Sequence, residues 1–290
     1  MSRTLVTGGT GFVGRHLVRA LATTGTEVYR LVRRPDSVAP EAGVVDVGCD
    51  LFETADVRAA VASVRPDAAY HLAWYVEPGR WKDDSSRQLA SLEAGVRLVG
   101  ALLDSGCWRI VLAGSGVEDH LPHSTTYAAA KAALHTVGAS LVDRAGASVV
   151  CAHLFSVFGP GEDPRRLVPT VATSLLRGVP VDVTDGLQKR DYLHVTDVAS
   201  ALVTVGTSHL IGTVDIAARP PRPQRDLVLA VAAETGRPDL LRLGGRPYPS
   251  DELPVYAGDP TVLAATGWRP VLDEVEAVRS AVDYWRAQTR

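Results

Sequence analysis

The chain begins with a short apolar segment, three glycines spaced three residues apart, and an amphipathic segment. Residues 4–7 predict a buried strand, and the apolar positions within residues 12–21 recur at helical spacing. Gly8, Gly11 and Gly14 lie between and within these segments. Such a unit is typical of a nucleotide diphosphate cradle at a helix N-terminus: Gly8 permits the turn, Gly11 the approach of the diphosphate, and Gly14 close helix–strand packing.

The end of the second predicted strand indicates which dinucleotide the cradle would hold. Residues 27–32 form this strand, and nucleotide-binding sheets often place an acid at its end to bind the adenosine ribose hydroxyls. Here Val32 is followed by Arg33 and Arg34. An acid would repel a 2′-phosphate, whereas arginine can pair with one, so the sequence favours NADP(H) over NAD(H). Two solvated surface arginines are the alternative interpretation.

Further strand and helix patterns alternate through the first half of the chain. This alternation predicts an α/β fold, with a doubly wound parallel sheet covered by helices on both faces. After residue 154 the pattern loosens, and Pro160, Pro164 and Pro169 interrupt it. We therefore predict a Rossmann-type nucleotide-binding domain over 1–160, with returning segments near 190–217, and a smaller, interleaved substrate-binding domain over 161–290.

Composition narrows the classes of partner. The net charge of −3 gives no electrostatic reason to bind nucleic acid or an anionic membrane, and no apolar run approaches membrane-spanning length. The three cysteines are odd in number and widely separated, which favours buried thiols in a reducing cytoplasm over disulfides. No metal-ligand spacing is evident, so no metal site is predicted. The chain starts directly with a strand pattern, without a signal segment.

A tyrosine and a lysine four residues apart are the first candidates for chemistry. Tyr127 and Lys131 would lie one turn apart on one helix face, and Ser115 would lie shortly before them at the end of a strand. A ketone that receives hydride needs a proton, which Tyr127 can donate. A free phenol has a pKa of about 10, and the positive charge of Lys131 would favour the phenolate.

Several ordered motifs resemble the short-chain dehydrogenase/reductase superfamily in its extended form. The resemblance covers nearly the whole chain and is carried by Thr7-Gly8-Gly9-Thr10-Gly11-Phe12-Val13-Gly14, Asp50-Leu51, His71-Leu72-Ala73, Ser115, Tyr127 with Lys131, 154–161 (Leu-Phe-Ser-Val-Phe-Gly-Pro-Gly) and 190–198 (Arg-Asp-Tyr-Leu-His-Val-Thr-Asp-Val). The last two segments resemble the nucleotide-sugar epimerase, dehydratase and reductase branch. A homodimer is also an expectation from this resemblance.

The resemblance implies three groups of site residues. The catalytic group is Ser115, Tyr127 and Lys131, with Ser115 orienting the substrate oxygen. The cofactor-binding group is Gly8, Gly11, Phe12, Val13, Gly14, Arg33, Arg34, Asp50, Leu51, Leu72, Ala73, Tyr127 and Lys131. The substrate-binding group is Thr126, Ser156, Arg190 and Arg246. Asp50 could instead cap the helix beginning near Thr54, Thr126 could cap the helix that carries Tyr127, and Arg190 could pair with Asp191 or another acid.

The neighbours of Ser115 bear on the reaction. Sugar 4,6-dehydratases of this branch carry an Asp-Glu pair beside the catalytic hydroxyl, whereas this chain has Gly114 and Gly116 there and Glu118 further on. An NADP(H) site fits net reduction by a cofactor that leaves, so we predict reduction of a 4-keto-6-deoxyhexose on a nucleotide diphosphate. The alternatives are a nucleotide-sugar epimerase, a reductase of a non-nucleotide ketone or aldehyde, and a non-catalytic NADP(H)-sensing regulator.

Overall fold

The computed structural model describes residues 2–82, 84–120, 125–142 and 146–289. Its first part alternates strands and helices: β1 (Arg3–Thr7), α1 (Phe12–Ala22), β2 (Glu27–Val32), β3 (Val44–Gly48), α2 (Thr54–Val64), β4 (Ala68–His71), α3 (Ser85–Asp104), β5 (Arg109–Ser115), α4 (Val117–His120), α5 (Thr126–Val142) and β6 (Ser148–Leu154). The strands predicted over residues 4–7 and 27–32 and the helix predicted over residues 12–21 are confirmed to within one residue.

The elements of the second part include mostly shorter strands. They are β7 (Ser156–Phe158), α6 (Leu167–Leu176), β8 (Val181–Val183), β9 (Lys189–Arg190), β10 (Tyr192–His194), α7 (Val195–Thr207), β11 (Gly212–Ile216), β12 (Arg222–Pro223), α8 (Gln224–Thr235), β13 (Leu241–Leu243), β14 (Val255–Tyr256), α9 (Thr261–Ala265) and α10 (Glu274–Gln288). The chain divides into two compact units: unit 1 is residues 1–154 and 199–216, and unit 2 is residues 155–198 and 217–290.

The sheet of unit 1 confirms the predicted fold class. Within the described residues, seven strands lie in the order β11-β6-β5-β4-β1-β2-β3, and every pair of neighbours is parallel. The strand order reverses around β1, whose neighbours are β2 and β4. Ligands of such sheets bind beyond the carboxyl ends of the strands at this reversal. The end of β1 leads directly into Gly8, so the glycine turn occupies that place in unit 1.

The sheet is stabilised by apolar side chains that are buried on both of its faces. Strands β1, β4, β5 and β6 are nearly continuous runs of buried residues, as expected where helices cover both faces. One buried cluster packs the sheet against α2, α3 and α5 and includes Leu5, Val61, Leu98, Ile110 and Leu134. No helix in the described ranges is long and apolar enough to cross a membrane.

A buried arginine joins the returning segment of unit 1 to β5. The Arg109 side chain donates to the carbonyls of Val205 (2.6 Å), Gly206 (3.3 Å) and Leu210 (2.7 Å), and to Ser148 Oγ (3.0 Å). The residue is only 1 % exposed. Burying a guanidinium is costly unless its donors are satisfied, and these four bonds, none of them to a carboxylate, engage most of its five N–H groups.

Unit 2 has its own core, formed by α6, α8 and α10. Their buried faces bring together side chains such as Val171, Leu175, Val231 and Val282. Helix α10 begins with a capping box, in which the Asp273 carboxylate accepts from the Glu276 backbone N–H and the Glu276 side chain accepts from the Asp273 backbone N–H.

Glu162 is a buried acid in unit 2, and few polar contacts offset the cost of burying its carboxyl group. Among the described residues its Oε2 atom has no hydrogen-bond partner, and Arg166 Nε lies 3.9 Å from Oε1. Burial is the main cause that raises the pKa of Glu162 from 4.5 to about 8. The carboxyl is therefore protonated in the folded protein at pH values where the unfolded chain has released its proton.

Glu162 should make stability fall as pH rises. Between pH about 4.5 and 8 the folded state holds one more proton than the unfolded state, so the free energy of unfolding decreases by up to about 1.4 kcal/mol per pH unit. Glu162→Gln should remove this contribution and raise the free energy of unfolding at pH 8, as measured by urea unfolding at several pH values. Glu93→Gln, on an exposed helix face, is the control. Parallel pH profiles for the parent and Glu162→Gln would contradict this prediction.

Candidate active site

The backbone of the glycine turn is packed so closely that a side chain at Gly8 or Gly14 would overlap backbone atoms. Gly8 has a φ of +69°, and the Gly11 N–H donates to the Gly8 carbonyl at 2.9 Å. Gly11 is the N-cap of α1, and a Cβ at Gly14 would lie 2.0 Å from the Gly8 oxygen. Phe12 and Val13 begin the helix. The turn therefore presents backbone N–H groups at a helix N-terminus, an arrangement suited to an anion.

The predicted segment after β4 lies directly against this turn. A Cβ at Gly8 would lie 2.7 Å from the Ala73 nitrogen and 2.8 Å from the Leu72 carbonyl carbon. Thr7 holds the two strands together, since its Oγ1 lies 2.7 Å from His71 Nδ1 and accepts from the Ala73 N–H at 3.3 Å. Burial, followed by the nearby charges of Lys131 and His135, lowers the pKa of His71 to about 3, so this imidazole is neutral.

The residues predicted to bind the adenosine end follow β2 and β3. Arg33 and Arg34 are exposed at the end of β2, and no acid occupies that strand end. The Asp50 carboxylate accepts from the Phe52 N–H at 3.0 Å, a local turn contact. The N-cap position of α2 is Glu53, so the alternative in which Asp50 caps this helix is wrong.

Tyr127 and Lys131 lie on α5 and are both buried. The Lys131 ammonium donates to the Ala113 carbonyl at 2.5 Å, and Ala113 is two residues before Ser115. The same ammonium lies 4.4 Å from the centre of the Trp74 ring and 6.0 Å from that of Tyr127. The Tyr127 ring meets the Trp81 ring edge-on at a centroid distance of 4.7 Å. The helix carrying the Tyr–Lys pair is thus attached to the strand that ends in Ser115.

Burial also changes the acidity of Lys131. It lowers the pKa of the ammonium to about 8, although the charges of Glu118 and Cys151 oppose this shift. At neutral pH Lys131 is mostly protonated and is a positive charge within a largely apolar surrounding. That charge favours an anion on neighbouring groups, which is the role predicted for it beside Tyr127.

The start of α5 differs from the sequence interpretation. Thr125 Oγ1 accepts from the Ala128 N–H at 3.2 Å, so Thr125 supplies the capping hydroxyl. Thr126 is the first helical residue, and its Oγ1 lies 2.7 Å from Ser85 Oγ. The proposed capping role of Thr126 is therefore wrong, because the helix begins one residue earlier than that role requires.

A polar cluster that the sequence did not reveal lies beneath Gly114. It consists of Glu118, His135, Cys151 and His153, and we call it the Glu118 cluster. Glu118 Oε2 lies 2.6 Å from His135 Nδ1 and 3.6 Å from His153 Nε2. Glu118 Oε1 accepts from the Ser115 N–H at 2.7 Å. The cluster is therefore connected to the strand end that carries the predicted catalytic serine.

The members of the Glu118 cluster shift one another's pKa values. Burial would raise the pKa of Glu118, but its contacts with His135 and His153 lower it to about 2. Burial lowers the pKa of His135, whereas its contacts with Cys151 and Glu118 raise it above its usual value. The only sequence signal for the cluster was the alternation Cys151-Ala152-His153, which puts two metal-ligand types on one face of a buried strand.

The predicted substrate residues of unit 2 are not all brought together. Arg190 lies in β9, forms an ion pair with Glu252 and donates to the Leu253 carbonyl at 2.9 Å. It lines a pocket of unit 2 together with Arg219 and Arg222. Ser156 begins β7 and Arg246 is exposed after β13, and neither lines this pocket. The acid that pairs with Arg190 is Glu252, whereas Asp191 accepts from the Ala218 N–H.

Comparison with known families agrees with this geometry. Residues 4–214, from β1 to β11, match the sequence model of the NAD dependent epimerase/dehydratase family. The chain belongs to this family. The resemblance to the extended short-chain dehydrogenases/reductases is therefore confirmed, and the chain is an oxidoreductase-type enzyme of this family.

Curated members of the family include several activities. The chain is 28% identical over 284 residues to a dTDP-4-dehydro-6-deoxy-D-allose reductase of Streptomyces bikiniensis, covering 84% of each chain. It is 27% identical over 319 residues to a UDP-glucose 4-epimerase of Mycolicibacterium smegmatis, covering 99% of this chain and 100% of that protein.

A solved structure in the family has the same fold along nearly its whole length. It is a UDP-glucose 4-epimerase of Thermus thermophilus in complex with NAD, at a TM-score of 0.86 and 28% identity. The alignment covers 98% of this chain and 99% of that one.

The packing beneath Gly114 can be tested with two glycine substitutions of opposite expected sign. A Cβ at Gly114 would lie 2.5–2.9 Å from His153, Cys151 and His135, whereas a Cβ at Gly100 in α3 would meet no atom within 4 Å. Gly114→Ala should lower the free energy of unfolding by about 1–3 kcal/mol through overpacking. Gly100→Ala should raise it by about 0.5–1 kcal/mol. Urea unfolding measures both changes. If Gly114→Ala left the free energy of unfolding unchanged, the prediction would be wrong, because the cluster could then move aside without cost.

Proposed function

We propose that this enzyme uses NADPH to reduce a keto group on a nucleotide-diphosphate sugar, specifically the 4-keto group of a 6-deoxyhexose. The observation that carries the proposal is the contact of the Lys131 ammonium with the Ala113 carbonyl. It holds Lys131, and Tyr127 on the same face of α5, at the strand end that carries Ser115. A proton donor is thus available where parallel sheets of this class bind their ligands.

The residues around the glycine turn fit a dinucleotide. The turn has glycine at the three positions, Gly8, Gly11 and Gly14, where a Cβ would lie within 3.1 Å of a backbone atom, and its N–H groups are suited to the diphosphate. In this proposal Gly8, Gly11, Phe12, Val13 and Gly14 hold the diphosphate. Arg33 and Arg34 pair with the 2′-phosphate, Asp50 and Leu51 border the adenine, and Leu72 and Ala73 border the next part of the cofactor. When bound, the nicotinamide supplies the hydride.

Three side chains would act on the substrate carbonyl. Tyr127 donates the proton that the developing alkoxide requires, and Lys131 stabilises the phenolate that remains. Ser115 donates a hydrogen bond to the carbonyl oxygen and fixes its orientation. The burial of Tyr127 and Lys131 strengthens these electrostatic contacts, because water screens them weakly there.

Elimination chemistry is less well supported than reduction. Ser115 is flanked by Gly114 and Gly116, and the nearby Glu118 is paired with histidines and with the Ser115 N–H, which leaves it poorly suited to deprotonating a sugar. The relationship to the Streptomyces bikiniensis reductase, whose name describes a 4-dehydro-6-deoxy sugar, supports net reduction of a keto sugar.

The sugar nucleotide would involve four predicted residues. Arg190 would exchange the carboxylate of Glu252 for a phosphate oxygen of the diphosphate, since arginine binds both anions bidentately. Arg246, which is exposed, would provide a second positive charge. Thr126 and Ser156 would provide hydroxyl groups near the sugar.

Epimerisation is the second candidate function. It is favoured by the full-length relationship to the UDP-glucose 4-epimerases of Mycolicibacterium smegmatis and Thermus thermophilus. An epimerase returns its cofactor to the starting oxidation state, so it consumes no reduced cofactor. This difference separates the two candidates experimentally.

The reaction can be tested with a dTDP-4-keto-6-deoxyhexose and NADPH. We expect the absorbance of the reduced cofactor to fall as the sugar is reduced. Tyr127→Phe should lower kcat by at least about 100-fold, because the variant lacks the general acid, while NADPH binding persists. Tyr284→Phe, in α10, is the matched control. Interconversion of UDP-glucose and UDP-galactose without loss of NADPH would instead establish an epimerase, and turnover of a ketone without a nucleotide would establish the simpler reductase.

Cofactor preference can be tested at the end of β2. Replacing both Arg33 and Arg34 by serine should raise the KM for NADPH by about 10-fold or more, because charge-assisted bonds to the 2′-phosphate are lost. The KM for NADH should change little, and Arg58→Ser on α2 should alter neither. Since the Thermus thermophilus relative is in complex with NAD, a parent enzyme that prefers NADH would overturn this part of the proposal.

The homodimer and the cytoplasmic location stay predictions. Exposed apolar side chains on α3 and α5, namely Leu89, Val137 and Leu141, are consistent with a partner subunit on these helices. The three cysteines are free and buried, as expected for thiols in a reducing compartment.

A further inference from the structure

Four side chains with metal-binding atoms converge in unit 1. Glu118, His135, Cys151 and His153 each offer one ligand atom, and these atoms all lie within 4.8 Å of one another. Three of the four residues are buried, and the His135 side chain is 14 % exposed. The donor set is one sulfur, two imidazole nitrogens and one carboxylate oxygen.

Three elements of secondary structure assemble this set. Cys151 and His153 alternate along β6 and therefore face the same side of the sheet. His135 lies on α5, one helical turn after Lys131, and Glu118 lies on α4, directly after β5. Gly114 leaves the space in which they meet, because a Cβ there would lie 2.5 Å from His153 and 2.7 Å from the Cys151 sulfur.

A single thiol hydrogen bond does not account for both contacts between Cys151 and His135. The Cys151 sulfur lies 3.0 Å from His135 Nδ1 and 3.1 Å from His135 Nε2. The lone pairs and N–H bonds of the two ring nitrogens point in different directions, and a thiol has one hydrogen, so it cannot bond well to both. The sulfur, the ring nitrogens and the Glu118 oxygen that lies 2.6 Å from Nδ1 are therefore gathered in one place.

We propose that Glu118, His135, Cys151 and His153 bind one zinc ion. Zinc accepts thiolate, imidazole and carboxylate ligands together and is tetrahedral in closed sites, which matches four protein ligands of these types. Calcium and magnesium prefer oxygen ligands and would not select a thiolate and two imidazoles. Four protein ligands leave no open position, so the site is structural.

A carboxylate also lies near the outer nitrogen of one proposed ligand. His153 Nδ1 lies 3.5 Å from the Asp215 carboxylate, at the opposite side of the ring from the Nε2 atom that faces Glu118. Carboxylates that hold the second nitrogen of a metal-binding histidine fix its ring orientation and its tautomer. Asp215 in β11 therefore has the position of an outer-sphere residue.

The ion would act as a positioning element beside the predicted catalytic residues. Glu118 would bind it through Oε2 while Oε1 accepts from the Ser115 N–H, and His135 would attach the helix that carries Tyr127 and Lys131. This site goes beyond the proposed function and does not depend on it. An enzyme with any of the candidate activities could contain it.

The test is metal analysis of full-length protein purified without a metal-affinity step. We expect about one zinc per chain in the parent protein and in Cys107→Ser, a control that alters a cysteine that is equally buried but is not a member of the cluster. Cys151→Ser should lack this zinc. Cobalt(II) added to chelator-treated parent protein should give the charge-transfer absorption of a thiolate–cobalt bond, and Cys151→Ser should not give it.

A second variant keeps the proposal falsifiable if Cys151→Ser does not fold. Asp215→Asn keeps all four ligands and should weaken zinc binding by about 10–100-fold, measured by competition with a chromophoric chelator. Absence of the thiolate–cobalt band in folded parent protein would overturn the proposal. So would equal zinc affinity in the parent protein and Cys151→Ser, because adventitious zinc would not depend on that thiol.

Discussion

The bond from the Lys131 ammonium to the Ala113 carbonyl is the interaction on which the candidate site depends. An ammonium buried to this degree is stable only if its donors are satisfied and if neighbouring groups tolerate its charge. The Ala113 carbonyl accepts one hydrogen bond, the Trp74 ring faces the charge, and the more distant Glu118 carboxylate favours it electrostatically. The bond therefore fixes α5 against the end of β5. It also limits the distance between Tyr127 and Ser115, the side chains proposed to act on the substrate carbonyl.

The cradle for the dinucleotide depends on a different constraint, the close approach of two backbones. Gly8 lies against Leu72 and Ala73 so closely that a Cβ would overlap them, and Gly14 lies against the carbonyl of Gly8 in the same way. These contacts make the glycines necessary for packing in unit 1, in addition to the binding role proposed for them. The proposed binding surface and the fold therefore use the same residues, which explains why the glycine spacing is so informative in the sequence.

The features that could be predicted from the sequence are those set by local spacing. The glycine turn, the strand and helix periods, and the Tyr127–Lys131 pair each lie within about fifteen residues, so their geometry follows from a single element or turn. The Glu118 cluster draws on three elements between residues 118 and 153, and the Arg190–Glu252 pair joins residues 62 apart, so only the fold brings them together. The helix cap at Thr125 was missed because either of two adjacent threonines fits the capping pattern.

The buried Arg109 has a consequence for how the chain reaches its folded state. Three of its acceptors are carbonyls between residues 205 and 210, which the ribosome adds long after β5 and after much of unit 2. A chain that ended at residue 154 would contain the glycine turn, the Tyr–Lys pair and six of the seven strands, yet Arg109 would lack three of its four acceptors and would need water in their place. The hydrogen bonds of this side chain are therefore completed only after the returning segment has been synthesised.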